Sequence, residues 1–311
     1  MDKKILITGG AGFIGSTIAD LFLSSGWDVA VLDDLSSGKR ENVPAGARFY
    51  PCDVRSAAAV DVVVKERPAV ICHEAAQIDV RKSMADPRFD CDVNLGGLLN
   101  LMGAAAKVGS VKQVLFASSG GATYGDTLQI PTREDHPARP LSHYGVAKAA
   151  SELYLGVYQA NFGIPYAALR YANVYGPRQD PHGEAGVVAI FCGRLLEGKP
   201  CTINGPGKQT RDYVFVGDVA RANLLAAEKG FAGALNIGTG VETDVNELYA
   251  RLARAAGVEA AAVHGPAKPG EQSRSCVDPS AARAALGWKP EVTLDGGLAR
   301  TLAFFRTRMK A

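Results

Sequence analysis

The apolar residues of the first half of the chain fall in short dense runs: Lys4–Thr8, Asp28–Leu32, Arg48–Cys52, Ala69–Cys72, Gln113–Ala117 and Tyr166–Arg170. Each run is short, apolar and bounded by Gly, Pro or Asp, which predicts a strand. The runs do not alternate apolar with polar residues, so both faces of each strand must be covered. That is the pattern of a parallel sheet lying between helical layers. Between the runs the spacing lengthens and predicts helices over Phe13–Ser25, Ser56–Glu66, Phe89–Lys107 and Tyr144–Asn161. The fold class that follows is α/β, a doubly wound parallel sheet.

Beyond Arg178 the rhythm loosens as Pro and Gly recur, from Pro177 and Pro181 to Pro266, Pro269 and Gly270. One further strand-like run, Ala234–Ile237, ends in Gly238-Thr239-Gly240 and is expected to rejoin the main sheet. The expected division is therefore a nucleotide-binding domain over 1–176, with about 213–240 returning to it. A smaller lobe over 177–311 would stand above the carboxyl edge of the sheet, where open α/β folds take their ligands. No repeat or low-complexity stretch interrupts this plan.

Composition narrows the class. At about 150 residues per domain, 311 residues suit two such units. Thirty-four Lys+Arg against 32 Asp+Glu leave a net charge of +2 without a basic block. Neither a nucleic-acid footprint nor a polybasic membrane patch is expected. The apolar start is too short for a signal peptide, and no run approaches the roughly 20 apolar residues of a membrane span. Six scattered cysteines without a C-x-x-C pair suit reduced thiols in a cytoplasmic protein rather than a disulfide frame or a zinc site. No metal is expected. His73, at the end of a buried run, reads as a hydrogen-bonded core histidine.

Candidate chemistry begins at Thr8-Gly9-Gly10-Ala11-Gly12-Phe13-Ile14-Gly15, between the first strand and the first helix. Glycines there permit a tight turn and let the backbone approach a pyrophosphate at a positive helix N-terminus. Asp33 ends the second strand about 20 residues on, where a carboxylate accepts both ribose hydroxyls and repels a 2′-phosphate. The pair points to a dinucleotide, with NAD favoured over NADP.

Tyr144-Gly145-Val146-Ala147-Lys148 places a phenol and an ammonium four residues apart on one helix face. A free phenol, with a pKa of about 10, is a poor base. The lysine charge and a positive nicotinamide are expected to lower it. Ser119, at the end of strand five, is expected to share the hydrogen bonds of the substrate hydroxyl. Ser118 reads equally well as a strand-end contact.

These residues, with Leu32–Gly38, Cys52-Asp53-Val54, His73–Gln77, Asn94, Ser118–Gly125, Leu169–Gly176 and Arg211–Val214, resemble the extended short-chain dehydrogenase/reductase superfamily. Within it the chain is most similar to the UDP-glucose (UDP-galactose) 4-epimerase family. The resemblance implies a Rossmann-type NAD domain lined by Gly9, Gly12, Phe13, Ile14, Gly15, Asp33, Leu35, Ser37 and Gly38. It adds Asp53 and Val54 at the adenine, and Ala75, Ala76, Gln77 and Asn94 near the phosphates and ribose. Ser118, Tyr144, Lys148 and Tyr171 would lie at the nicotinamide end. A UDP-sugar would meet Thr123, Asn173, Val187, Val188, Thr202, Asn204, Arg211, Lys268, Glu271 and Ser275. A homodimer is implied too, and the apolar positions Leu153, Tyr154, Val157 and Tyr158 suit one.

The reaction so implied is inversion at C4 of a UDP-hexose through a transient 4-keto sugar. Ser119, Tyr144 and Lys148 would be catalytic. Related dehydratases and decarboxylases place a carboxylate just after the strand-five serine, whereas Gly120-Gly121-Ala122 stand here. A UDP-glucuronate 4-epimerase or a related UDP-sugar C4 oxidoreductase is the alternative enzyme. An inactive NAD-binding regulatory protein is the alternative of another class. Four departures mark the chain. Gly120 replaces the third serine common in the family, so the hydroxyl role passes to Ser119 with Thr123 as second choice. Lys268 replaces an arginine, losing its bidentate fork. Asn204 stands where an aromatic usually contacts the uracil. Ser275 falls where family members carry either a bulky Tyr or a small residue, and a small one leaves room for an N-acetyl group on the sugar.

Overall fold

A computed structural model describes residues 2–181, 186–259, 261–267 and 272–309. Strands β1 (Lys4–Thr8), β2 (Asp28–Asp33), β3 (Arg48–Pro51), β4 (Val70–His73), β5 (Gln113–Ser119) and β6 (Tyr166–Tyr171) match the six apolar runs within two residues at each end. Three short strands follow, β7 (Asn173–Tyr175), β8 (Thr202–Asn204) and β9 (Thr210–Phe215). The last four are β10 (Gly233–Ile237), β11 (Glu242–Asp244), β12 (Val263–Gly265) and β13 (Arg274–Ser275).

The main sheet has seven strands in the order β10-β6-β5-β4-β1-β2-β3, and every pairing in it is parallel. The order reverses between β1 and β4, which opens a crevice at their carboxyl ends. The period of two divides each strand between two cores. Ile5 and Ile7 enter one, with Phe22 and Ala226 from the helices above, while Leu6 enters the other, with Val63 and Leu101 from those below. All three β1 residues are fully buried, as their unbroken apolar run requires.

The helices are α1 (Phe13–Ser24), α2 (Ala57–Glu66), α3 (Val80–Ala85), α4 (Pro87–Cys91), α5 (Gly97–Val108) and α6 (Gly120–Tyr124). They continue as α7 (His143–Phe162), α8 (Val187–Leu196), α9 (Val216–Lys229), α10 (Val245–Ala256), α11 (Ser280–Leu286) and α12 (Leu294–Met309). Local sequence sets their starts. Ser56 caps α2 by accepting the Ala59 N–H, and Ser142 caps α7 by accepting the Gly145 N–H. The helix expected over Phe89–Lys107 is instead three pieces: α4, a π-helical turn over Asp92–Gly96, and α5. The wide turn lets Asn94 point back at the loop after β4, a use of π-bulges common near functional sites.

The later part of the chain builds a third core around Tyr175, Phe191, Leu248 and Leu302. Over it, β9 pairs with β7, β11 and β13. A separate two-stranded ladder joins β8 to β12.

Candidate active site

The glycine turn has the shape its sequence demands. Gly9 is left-handed at φ +68, and a Cβ on it would stand 2.6 Å from the Ala75 nitrogen. A Cβ on Gly15 would stand 2.3 Å from the Gly9 carbonyl oxygen. Gly12 caps α1 without any side-chain hydrogen bond, and no acid lies in the first turn. The first N–H groups of α1, on Phe13 and Ile14, therefore face the crevice as donors for an anion.

Asp33 is buried at the edge of this turn. Its Oδ2 accepts the Ala11 N–H at 2.9 Å and its Oδ1 the Leu35 N–H at 2.8 Å. Leu35 adopts a left-handed backbone, φ 60, to make that bond. Each oxygen keeps a lone pair for a diol. Burial raises the Asp33 carboxyl above its ordinary value, and the two backbone bonds oppose the rise. Lys39 donates its N–H to the Ala11 carbonyl and ties the exposed Ser37 and the Gly38 turn against the same loop. A Cβ on Gly38 would meet Asp33 Oδ1 at 2.7 Å. These cradles, which any side chain would fill, fit a dinucleotide.

Several of the expected cofactor residues also make contacts within the protein. Asp53 is ion-paired with Arg55. Val54 is buried against Gly97. Asn94 accepts the Gln77 N–H at 2.9 Å and donates to the Gln77 carbonyl and to Asp90. The Gln77 amide likewise donates to Asp90 and to the Asp79 carbonyl. Together they shape the Ala75–Ala76–Gln77 loop, with Ala75 and Ala76 half-buried beside the glycine turn. The Ser118 hydroxyl donates to Glu152 at 2.6 Å, and Glu152 is clamped by Arg170. That is the strand-end reading of Ser118. Thr123, on α6, is 1% exposed, and its buried hydroxyl oxygen has no hydrogen-bond partner among the described residues.

Tyr144 and Lys148 do share a face of α7. The Lys148 ammonium lies 5.7 Å from the centre of the Tyr144 ring and donates to the Ala117 carbonyl at 2.7 Å. The expected acidification of the phenol is not found in the protein alone. Burial pushes Tyr144 well above the usual phenol range, and the negative charges of Asp90 and Glu74 push the same way. Burial pulls Lys148 down to about 8, against the charges of Glu74, Asp90 and Glu152. Ser119 accepts the Ala122 N–H at 3.2 Å, leaving its own O–H to donate, and is paired with Tyr171 in the sheet. His73 is the hydrogen-bonded core residue expected, 2.7 Å from the Thr8 hydroxyl, and burial lowers it to about 3.

One acid at this edge was not anticipated. Glu74 accepts the Tyr171 O–H at 2.9 Å, and burial raises it to about 7. Its signal was available: two residues past Cys72, it shares that buried side of β4.

The small sheet over the crevice gathers part of the expected sugar-nucleotide set. Arg211 is in register with Ser275, and Asn173 with Tyr213. Asn173 is exposed, and Ser275 is buried with its hydroxyl 3.3 Å from where a Gly121 Cβ would lie. Val187 opens α8, half-buried, whereas Val188 lies in the third core. Thr202 and Asn204 are on the separate β8 ladder, joined to the small sheet through the Gln209 amide on the Asn204 carbonyl. Lys268 and Glu271 lie outside the described residues. Arg178 is held by Asp20 and Ser16 of α1.

A family model described as NAD dependent epimerase/dehydratase family matches residues 5–238. The chain belongs to this family. Within it, the UDP-glucose 4-epimerase of Mycolicibacterium smegmatis is 44% identical over 98% of this chain and 99% of its own length. The UDP-glucose 4-epimerase of Thermotoga maritima, solved with UDP-glucose, superposes with a TM-score of 0.96 at 44% identity, covering 98% and 99% of the two chains. The Thermus thermophilus UDP-glucose 4-epimerase, solved with NAD, gives 0.92 at 45% identity, covering 97% and 99%. Among the described residues no helix is long and apolar enough to cross a membrane, and no cluster of metal-ligating side chains is present.

Proposed function

We propose that this chain is an NAD-dependent UDP-hexose 4-epimerase, acting on UDP-glucose and UDP-galactose with room for their N-acetyl forms. Residues 1–176, with 213–240 returning to them, form its cofactor half, and 177–311 its sugar-nucleotide half. The observation that carries the reading is the pairing of half-buried Tyr144 with buried Lys148 on α7, in a fold whose parallel sheet presents an uncapped glycine turn after β1 and Asp33 at the end of β2.

In this reading the backbone N–H groups of Phe13 and Ile14 hold the pyrophosphate, and Asp33 accepts the ribose hydroxyls. When bound there, NAD would accept a hydride from C4 and return it, and its positive nicotinamide would favour the Tyr144 phenolate. Tyr144 takes the proton from the sugar 4-hydroxyl and gives it back after the 4-keto sugar has turned. Lys148, fixed by the Ala117 carbonyl, stays charged beside the phenol. Ser119 donates to the 4-oxygen as its hydrogen bonds change. Arg211 faces the UDP phosphates, the role that the resemblance also gives to Lys268. Ser275 adds little bulk beside C2 of the sugar.

We read the protein as a cytoplasmic homodimer. Leu153 is 76% exposed, and Val146 and Val157 are about half exposed on the same helix. An apolar stripe of this kind on α7 suits a second copy. Light scattering at micromolar concentration tests the assembly. The function is tested by incubating the purified protein, without added cofactor, with UDP-glucose, UDP-galactose, UDP-GlcNAc, UDP-GalNAc and UDP-glucuronate. Formation of C4 epimers of the neutral hexoses is expected. Exclusive conversion of the uronate, or no conversion of any, would overturn the assignment.

A further inference from the structure

Asp212 lies on β9 between Arg211 and Tyr213, on the opposite face of the strand, and is 1% exposed. Its carboxylate collects donors from two other segments. Oδ1 accepts the Thr239 N–H at 2.8 Å and the Thr239 O–H at 2.5 Å. Oδ2 accepts the Gly240 N–H at 3.1 Å and the Val277 N–H at 3.4 Å. A Cβ on Gly238 would stand 2.4 Å from Oδ2, so only glycine admits the carboxylate there. Burial raises the Asp212 carboxyl above its ordinary value, and the bonds from Thr239, Gly240 and Val277 oppose the rise. No cationic side chain pairs with it among the described residues.

The segments joined in this way belong to different parts of the fold. Gly238-Thr239-Gly240 connects β10, the edge of the main sheet, to β11 of the small sheet. β9 is the strand against which β7, β11 and β13 are all paired. Val277 follows β13, whose Ser275 is in register with Arg211. Apolar contact alone would hold these segments together without fixing their angles, since it has no direction. A buried carboxylate is costly unless its lone pairs meet donors, and here four converge on it from set directions. An amide cannot take its place, because its own N–H groups would face N–H or O–H donors.

We propose that Asp212 is a positioning residue for the sugar nucleotide: its carboxylate locks the Gly238–Gly240 turn to β9 and to the segment after β13, and so sets Arg211 and Ser275 relative to the main sheet. The parts played by Arg211 and Ser275 rest on the epimerase reading above. Asp212 acts through those two residues and not on the reacting atoms. Its loss should therefore weaken binding of the sugar nucleotide and spare both the chemistry at Tyr144 and the hold on the cofactor.

The test compares Asp212→Asn, Thr239→Val and Thr239→Ser in the full chain as purified. Valine removes the hydroxyl donor to Asp212, and serine keeps it. The Kd of UDP, read by calorimetry, and the KM of UDP-galactose should each rise about fivefold or more in Asp212→Asn and Thr239→Val, because a loosened site must be ordered at every binding event. Bound NAD and kcat should stay within about twofold, and Thr239→Ser should behave as the unaltered protein. A Thr239→Val protein that melts lower yet keeps its UDP Kd within about twofold would overturn the proposal, since the carboxylate would then serve the fold alone. If Asp212→Asn fails to fold, the two Thr239 variants decide by the same measure. If the unaltered protein neither binds UDP nor epimerises, the epimerase reading falls, and amide exchange decides the lock. Faster exchange at residues 210–213 and 274–277 in Thr239→Val than in Thr239→Ser supports it, and equal exchange overturns it.

Discussion

Lys148 points its ammonium at the carbonyl of Ala117, at 2.7 Å, rather than at the hydroxyl of Tyr144 one turn away. The lysine is thus locked to the end of β5 and influences the phenol as a fixed charge, 5.7 Å from the ring centre. Removing the phenol should leave this lock intact. Tyr144→Phe is expected to lower turnover roughly 100- to 10,000-fold, the usual contribution of a general acid–base group. Cofactor content after purification should stay unchanged. Substantial epimerisation by the Phe variant would remove Tyr144 from the chemistry.

Ser118 and Ser119 are adjacent but belong to different networks. The Ser118 hydroxyl completes a buried cluster in which Arg170 grips Glu152, with side chains 13% and 10% exposed. Ser119 instead faces the crevice edge beside Tyr171. Ser118→Ala should therefore cost about 1.5–3 kcal/mol of stability, the loss of a hydrogen bond to a charged group, with turnover nearly unchanged. Arg170→Met should cost about 3–5 kcal/mol by stranding the Glu152 charge. Ser119→Ala should do the reverse, lowering turnover with little change in the urea midpoint. If both serine variants affect turnover equally, the division between the two networks is wrong.

The two serines also show what the sequence could and could not reveal. The main-sheet strands were legible because both of their faces are buried, so burial alone wrote apolar runs such as Ile5–Leu6–Ile7. The glycine turn was legible because Gly9 and Gly15 touch backbone that no side chain could approach. The break of Phe89–Lys107 was not, since a π turn of five residues barely disturbs the helical spacing. Nor was α3, which is too short to show a period. Tyr144 and Lys148 could be paired from their spacing, but their proton affinities are set first by burial and then by the charges of Glu74 and Asp90, far away in the chain. Such long-range charges leave no local pattern.

His73 gives the fold a dependence on pH. Buried and bonded to Thr8, it takes a proton only near pH 3 in the folded chain, against an ordinary 6.5 when unfolded. Between those values the unfolded chain binds the extra proton, so stability falls as the pH is lowered. The slope from this one residue approaches about 1.4 kcal/mol per pH unit. Glu74 works in the opposite sense between its ordinary 4.5 and about 7, because the folded chain holds that proton more tightly. Comparison with His73→Gln isolates the histidine. Urea midpoints at pH 7, 6 and 5 should drop more steeply in the unaltered protein, and parallel lines would contradict this account.

Gly120 stands where many relatives of this fold class are expected to carry a third serine, and the structure gives a reason for glycine here. A Cβ at position 120 would lie 2.6 Å from the Cγ1 of Val277, itself 1% exposed, and 3.4 Å from the carbonyl oxygens of Arg170 and Tyr171. Val277 is β-branched and wedged between Gly120 and Gly238, whose own Cβ would stand 2.5 Å from its second methyl. It has no open rotamer to retreat into. Gly120→Ser alone should therefore destabilise the protein by about 1–3 kcal/mol, as overpacking in a filled core does. Paired with Val277→Ala, which opens the space the new side chain needs, the serine should cost less than the sum of the two single changes. A double-mutant cycle on urea denaturation reads this directly, and coupling energies between touching residues run from about 0.5 to 3 kcal/mol. If the two costs simply add, Val277 is not what excludes a side chain from position 120. Turnover adds a second reading: if, as proposed, the hydroxyl role belongs to Ser119, the double variant should tolerate Ser119→Ala better than the unaltered protein does.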